Sequence, residues 1–280
     1  MTKTVWTKLG LLAGGGDLPL EILKASGDRP VHVVVLRGFA DRDYAPFETS
    51  SRSVGEIGGI IKDLRAAGCD AVCFAGYVTR PDLSTLKMDA RGLIMAPRAL
   101  AAGRKGDDAI IRVVVAEFEQ AGFAVVGADS LLAKDGLPAG LIGTVEPDET
   151  NRADAVKAME VAAEIGRLDI GQGAVVADGV VLAVEAQEGT NAMLERVAGL
   201  PATLRGSEAA RCGVLAKRPK PIQERRVDLP TIGVDTVERC AAAGLAGIVL
   251  EADGALIVDR DGVRAALNRH GLFVLVEPAR

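Results

Sequence analysis

Aromatic residues make up only 3% of this 280-residue chain, too few for the stacking platforms that hold single-stranded nucleic acid. Histidine is scarcer still: His32 and His270 are the two present, which excludes a dinuclear phosphoesterase centre built on histidines. His32 sits within the apolar run VHVVVL and reads as a packed strand residue. The four cysteines, Cys69, Cys73, Cys212 and Cys240, contain no C-x-x-C pair, so a reduced, cytoplasmic chain is expected. Missing too is any run of about 18 apolar residues, the length that spans a bilayer. The opening MTKTVWTKLGLLAGGGDLP is too glycine-rich for a signal peptide. A net charge of −5 speaks against a general binder of nucleic acid or of an anionic membrane, while local cationic patches stay open.

What is abundant is glycine, 33 residues, well above the usual share of about 7%. Glycine at that level suits many strand–helix turns or glycine-lined ligand loops. Hydrophobic residues at 49% and charged ones at 25% are globular proportions. Continuous apolar runs, GLLA, VHVVVL, AVCFA and FAVV, alternate with helical patterns in the first half. This is the signature of a parallel sheet covered on both faces. Residues 1–130 therefore read as a Rossmann-like domain, residues 131–149 as a linker, and residues 150–280 as a second, mixed α/β domain. Within the latter, AVVADGVVLAV promises a hairpin turning at Asp178-Gly179.

Several stretches carry chemistry. Gly14-Gly15-Gly16 joins a strand to a helix, where backbone amides can hold an anion or where a tight turn simply packs. It is not a G-x-G-x-x-G fingerprint, because Pro19 takes the third glycine position. FAGYVTRP places Gly76 and Tyr77 beyond the carboxyl end of a buried strand, the ligand edge of open α/β sheets. GRKGDD sets Lys105 and Asp107 at a helix start. In AVEAQEGTNAML, residues 183–194, Glu185 ends a strand and Glu188 precedes a helix opened by Thr190 and Asn191. Two carboxylates so spaced suit Mg²⁺; a solvated pair beside an ordinary cap is the alternative. KRPKPIQERRVDLP, residues 217–230, has prolines on both sides of Lys220, so it reads as a stiff loop rather than a helix. Its lysines and arginines suit phosphate oxygens, and Asp228 follows them.

The segments LLAGGGDLP, AGYVTRP, KGDD, LDIGQGAVV, VLAVEAQEGTNAML and KPIQERRVDLPTIG, in this order and spacing, resemble the UDP-2,3-diacylglucosamine pyrophosphatases of the LpxI type, enzymes of lipid A biosynthesis. Asn191 stands where that family usually has aspartate, and Glu224 where aspartate is common. The resemblance implies a Mg²⁺-dependent hydrolase that splits UDP-2,3-diacylglucosamine into UMP and 2,3-diacylglucosamine 1-phosphate (lipid X), touching the inner face of the inner membrane transiently. Glu185, Glu188 and Asp228 are then the expected metal ligands, with Asp228, Glu188 and Arg226 catalytic. Substrate contacts are expected from Gly15, Gly76, Tyr77, Lys105 and Asp107 in the first half. In the second half they are expected from Gln172, Thr190, Asn191, Lys220, Gln223 and Arg225. A non-catalytic nucleotide or sugar-phosphate binding protein and a Rossmann-type oxidoreductase are the competing readings.

Overall fold

The computed structural model describes residues 6–79, 82, 85–104, 106–132 and 137–279, so Lys105 lies outside the described residues. The chain divides into two compact units. One comprises Met1–Lys134 with Glu224–Val227, the other Asp135–Gln223 with Asp228–Arg280.

The first unit runs β1 (Leu9–Ala13), α1 (Leu18–Ser26), β2 (Val31–Leu36), β3 (Glu48–Arg52), α2 (Ile57–Ala66), β4 (Ala71–Ala75), α3 (Ala90–Gly103), α4 (Asp107–Gln120), β5 (Ala124–Val125) and α5 (Ala128–Leu132). Its strands lie in the order β3-β2-β1-β4-β5, and every neighbouring pair is parallel. The order 3-2-1-4-5 is that of an open, doubly wound parallel sheet, in which ligand edges form beyond the strand carboxyl ends. Helices pack by simple periodicity: Ile57, Ile60, Ile61 and Leu64 form the buried stripe of α2. They meet Leu12, Val34, Val72 and Phe118 in one core.

Three elements of this unit were not anticipated: the short α5, β3 and α3. β3 has the sequence ETSSR, without an apolar alternation. Side-chain pairs hold it at the sheet edge instead: Lys8 Nζ bonds Glu48 at 2.9 Å, His32 meets Ser50 at 3.1 Å, and Arg52 grips Asp63 through two bonds of 2.7 and 2.8 Å. α3 contains Pro97 in its interior and leaves Leu93, Ile94 and Leu100 exposed, which hides its helical period.

The second unit runs β6 (Gly140–Ile142), α6 (Glu149–Arg167), β7 (Gly173–Ala177), β8 (Val180–Val184), α7 (Gly189–Ala198), α8 (Ala202–Arg205), β9 (Val214–Lys217), β10 (Thr231–Ile232), α9 (Val234–Ala242), β11 (Gly247–Glu251), β12 (Leu256–Ile257), α10 (Arg260–His270) and β13 (Phe273–Glu277). The main sheet has the order β6-β13-β11-β9-β7-β8. β13, β11 and β9 are mutually parallel at its centre, while β6 and the β7–β8 hairpin are antiparallel flanks. β6 falls within the stretch read as a linker. The architecture is thus the expected pairing of a parallel Rossmann-like sheet with a mixed α/β unit.

The hairpin turns at Asp178 and Gly179, both at positive φ (48° and 73°), as a two-residue primed turn requires. Asp154, 1% exposed on α6, accepts from the Asp178 and Gly179 amides at 2.9 and 2.7 Å. The cysteines are free thiols: Cys69, Cys73 and Cys240 are buried and Cys212 is half-buried. Burial pushes the Cys69 and Cys212 thiols up to about 11 and Cys240 to about 12.

Asp154→Ala strips the turn of both acceptors. It should lower unfolding stability by about 2–3 kcal/mol, read as a reduced urea midpoint with an unchanged slope.

Candidate active site

In the second unit, residues from four elements meet where β9 ends. The antiparallel register places Gly173, the first residue of β7, opposite Lys217, the last of β9. Glu185 follows β8 directly and is only 6% exposed. Its Oε1 accepts from the Thr190 hydroxyl at 2.9 Å, while Oε2 is buried with no hydrogen-bond partner. A side chain at position 173 would put Cβ 2.7 Å from that oxygen, and one at position 171 would put it 2.0 Å from the Glu185 carbonyl. Gly173 therefore leaves the space in which the carboxylate lies, and Gly171 leaves room for the Glu185 backbone.

Lys217 is 5% exposed, and its Nζ donates to the Thr231 carbonyl at 3.2 Å. Burial lowers its pKa, and the neighbouring charges of Glu185 and Asp228 oppose that shift. The loop beyond is organised by Gln223. Its side-chain oxygen accepts from the Lys220 amide at 2.9 Å, and its Nε2 donates to Asp228 Oδ2 at 2.5 Å and to Gln172 Oε1 at 3.3 Å. Gln172, Gln223 and Asp228 are thus one chain of hydrogen bonds, with Lys217 and Glu185 beside it.

Other expected members face elsewhere. Glu188, the residue before α7, is exposed and bonds Arg196 at 2.6 Å. Its own backbone amide, then Arg196, hold its carboxyl below the usual range. Asn191 is exposed and donates to Asp235 at 3.1 Å. The expected trio Glu185, Glu188 and Asp228 does not bring its ligand atoms together within 4.8 Å. The reason is local: Glu188, at the N-cap of α7, turns its carboxylate to Arg196 on the same helix. Among the described residues, the group that close is Asp154, Asp178 and Cys212, where Asp154 already serves the hairpin amides.

The cationic loop is likewise not one converging strip. Arg218 pairs with Glu251 at 2.8 Å and Lys220 with Asp169 at 2.7 Å. Glu224–Val227 belongs to the first unit. There Arg226 forks onto Glu224 at 2.8 and 2.9 Å and reaches Glu119 at 2.7 Å. Those carboxylates, Glu224 first, raise its pKa. Arg225 is exposed.

The glycine loop of the first unit is also occupied from within. The amides of Gly14, Gly15 and Gly16 donate to Ala75 O (2.8 Å), Tyr77 O (2.9 Å) and Asp41 Oδ1 (2.9 Å). Tyr77 returns a bond from its amide to Gly15 O at 3.0 Å and from its hydroxyl to Asp41 Oδ2 at 3.0 Å. A Cβ at Gly15 would lie 2.4 Å from the Tyr77 ring, and one at Gly76, with φ 87°, would lie 2.5 Å from Gly15 O. These glycines serve close packing, and a carboxylate holds the place where an anion was expected. The Gly16 amide keeps Asp41 below the usual carboxyl range, and Asp41 in turn raises the Tyr77 phenol. Asp107 opens α4, where the adjacent buried Asp108 accepts from the Glu224 amide at 2.6 Å.

The residues that sequence reasoning left out are Lys217, read there only as part of the loop, and Asp41. A lysine closing the apolar run VLAK, and an aspartate soon after β2, were the available signals.

Two family models cover this architecture: the LpxI N-terminal domain matches residues 8–134 and the LpxI C-terminal domain residues 138–275. The chain belongs to the LpxI family. A relative from Caulobacter vibrioides, named UDP-2,3-diacylglucosamine pyrophosphatase LpxI, is 57% identical over 275 residues, covering 97% of this chain and 98% of that protein. Among solved structures, a CobK precorrin-6A reductase matches at 14% identity, over 98% of this chain and 88% of that one. Its TM-score is 0.33.

Tyr77 gives a titration test. Its folded pKa is raised, so the Asp41 bond contributes stability below the ordinary phenol value of about 10 and loses it as pH rises through the raised one. With Tyr44→Phe leaving Tyr77 as the one tyrosine, ultraviolet titration should show a phenol above that value. Asp41→Asn should bring it back down.

Proposed function

We propose that this chain adds water across the P–O–P bond of UDP-2,3-diacylglucosamine, releasing UMP and 2,3-diacylglucosamine 1-phosphate within lipid A biosynthesis. The observation that carries this reading is the relation to a pyrophosphatase of that name across 97% of the chain. The site at the end of β9 supports it with hydrolytic chemistry: two carboxylates, a buried cation and an amide network.

Magnesium fits this site on one observation, the buried Glu185 Oε2 that has no partner. Such an orphan oxygen calls for a cation or a water, and carboxylate oxygen is the ligand Mg²⁺ prefers. Glu185 and Asp228 would hold the ion, which when bound offsets charge on the diphosphate oxygens. Gln223 fixes Asp228 in orientation, so that the carboxylate can align the attacking water. Lys217 supplies a positive charge beside both carboxylates, and the hydroxyl of Thr190 holds Glu185 in its rotamer. Glu188 and Arg226 are assigned no chemical step, since Arg196 and the Glu224–Glu119 pair engage them. The substrate's acyl chains imply an encounter at a membrane surface. Among the described residues no helix is long and apolar enough to cross one.

Incubation with UDP-2,3-diacylglucosamine and Mg²⁺ should release UMP, and a chelator should stop it. A binding protein would release none. Asp228→Ala should abolish turnover and leave substrate binding largely intact; near-normal kcat would remove Asp228 from the mechanism. Gly173→Ala crowds Glu185 Oε2 while leaving the strand paired. It should cut kcat on the order of 10²-fold, the scale of a 1 Å misplacement, and lower the melting temperature, because the displaced carboxylate balances the buried Lys217.

A further inference from the structure

α3 is the most exposed apolar helix of the first unit. Leu93 is 61% exposed, Ile94 78% and Leu100 53%, and Pro97 and Ala101 are exposed beside them. At 100° per residue these five side chains fall in one stripe about 120° wide, wide enough to bury against something. The opposite face is already used, with Gly92 and Met95 buried. Arg98 borders the stripe and Arg104 continues it. No acidic residue occurs between Asp89, which caps the helix through Gly92 N at 2.8 Å, and Asp107. Arg91 and Arg98 both reach the buried Glu117, at 3.0 Å each. Two of the segment's three arginines thus share that one carboxylate, and Arg104 adds a further positive charge at the helix end.

We infer that α3 is a docking face for an anionic phospholipid surface, with Leu93, Ile94, Pro97 and Leu100 entering the headgroup boundary and Arg98 and Arg104 facing the phosphates. An apolar stripe with cationic neighbours and no acids is the makeup of a helix that lies in a membrane interface. A second copy of the chain fits less well. One face of this helix, about 20 Å long and 10 Å wide, offers about 200 Å², a quarter of the roughly 800 Å² per partner that a stable dimer buries. The inference rests on the lipid-substrate reading only for its purpose: a diacylated sugar nucleotide is met at a bilayer, and this face would bring the first unit there.

The test is sedimentation of the full chain with vesicles of phosphatidylcholine, with and without about one-third phosphatidylglycerol. The wild type should sediment with the anionic vesicles and much less with neutral ones. Leu93→Ser/Ile94→Ser, at two positions already facing water, should lower the bound fraction about tenfold or more. Its circular dichroism and its UMP release from detergent-dispersed substrate should match the wild type. Equal vesicle binding by both proteins, or none by either, overturns the inference. So does a variant that changes oligomeric mass, which assigns the face to a second copy, or one slow on dispersed substrate, which assigns it to the substrate's own chains. Absence of UMP release by the wild type would sink the proposed reaction alone, since vesicle binding is read without turnover.

Discussion

Lys217 carries its charge into the end of β9 at 5% exposure, bonded to the Thr231 carbonyl and beside Glu185 and Asp228. A buried ammonium is costly unless opposite charge and acceptors surround it, and removing one partner leaves the other uncompensated. The carboxylate that balances it has room because position 173 has no side chain, and the backbone that carries it passes close to Gly171. Asp228 is oriented by Gln223, which also ties down Gln172 and Lys220. Charge balance, glycine spacing and loop conformation are therefore coupled, and substitutions among these residues should not add independently.

The stretches that promised to receive anions already contain them. Asp41 sits on the glycine loop, and Glu251, Asp169 and the Glu224–Glu119 pair engage Arg218, Lys220 and Arg226 in turn. An entering phosphate would exchange with carboxylates rather than fill bare positive charge. The same occupancy bears on the competing oxidoreductase reading, because a dinucleotide pyrophosphate needs amides that Ala75, Tyr77 and Asp41 have taken.

The sequence made plain those elements whose own residues decide them. β1, β2 and β4 are continuous apolar runs, and the Asp178-Gly179 turn announces its hairpin. β3 was invisible because what holds ETSSR lies elsewhere, in Lys8, His32 and Asp63. α3 was invisible because its apolar side chains point both inward and outward. At the site, Glu185 with Thr190 could be read from strand end and helix start. The directions of Glu188 and Asn191 could not: a fraction of a turn decides whether each joins Glu185 or turns to Arg196 and Asp235. Lys217 looked like a loop cation because its burial depends on Thr231, fourteen residues on.

The distribution of thiols has a practical side. Cys69 and Cys73 lie in the first unit and Cys212 and Cys240 in the second, none disulfide-bonded and three of them buried. A thiolate must form and meet solvent before an alkylating reagent can react with it. The rate of labelling at each of the three buried cysteines therefore times how often its own half breathes open. Mass spectrometry of modified peptides would report the two halves separately, with no added probe.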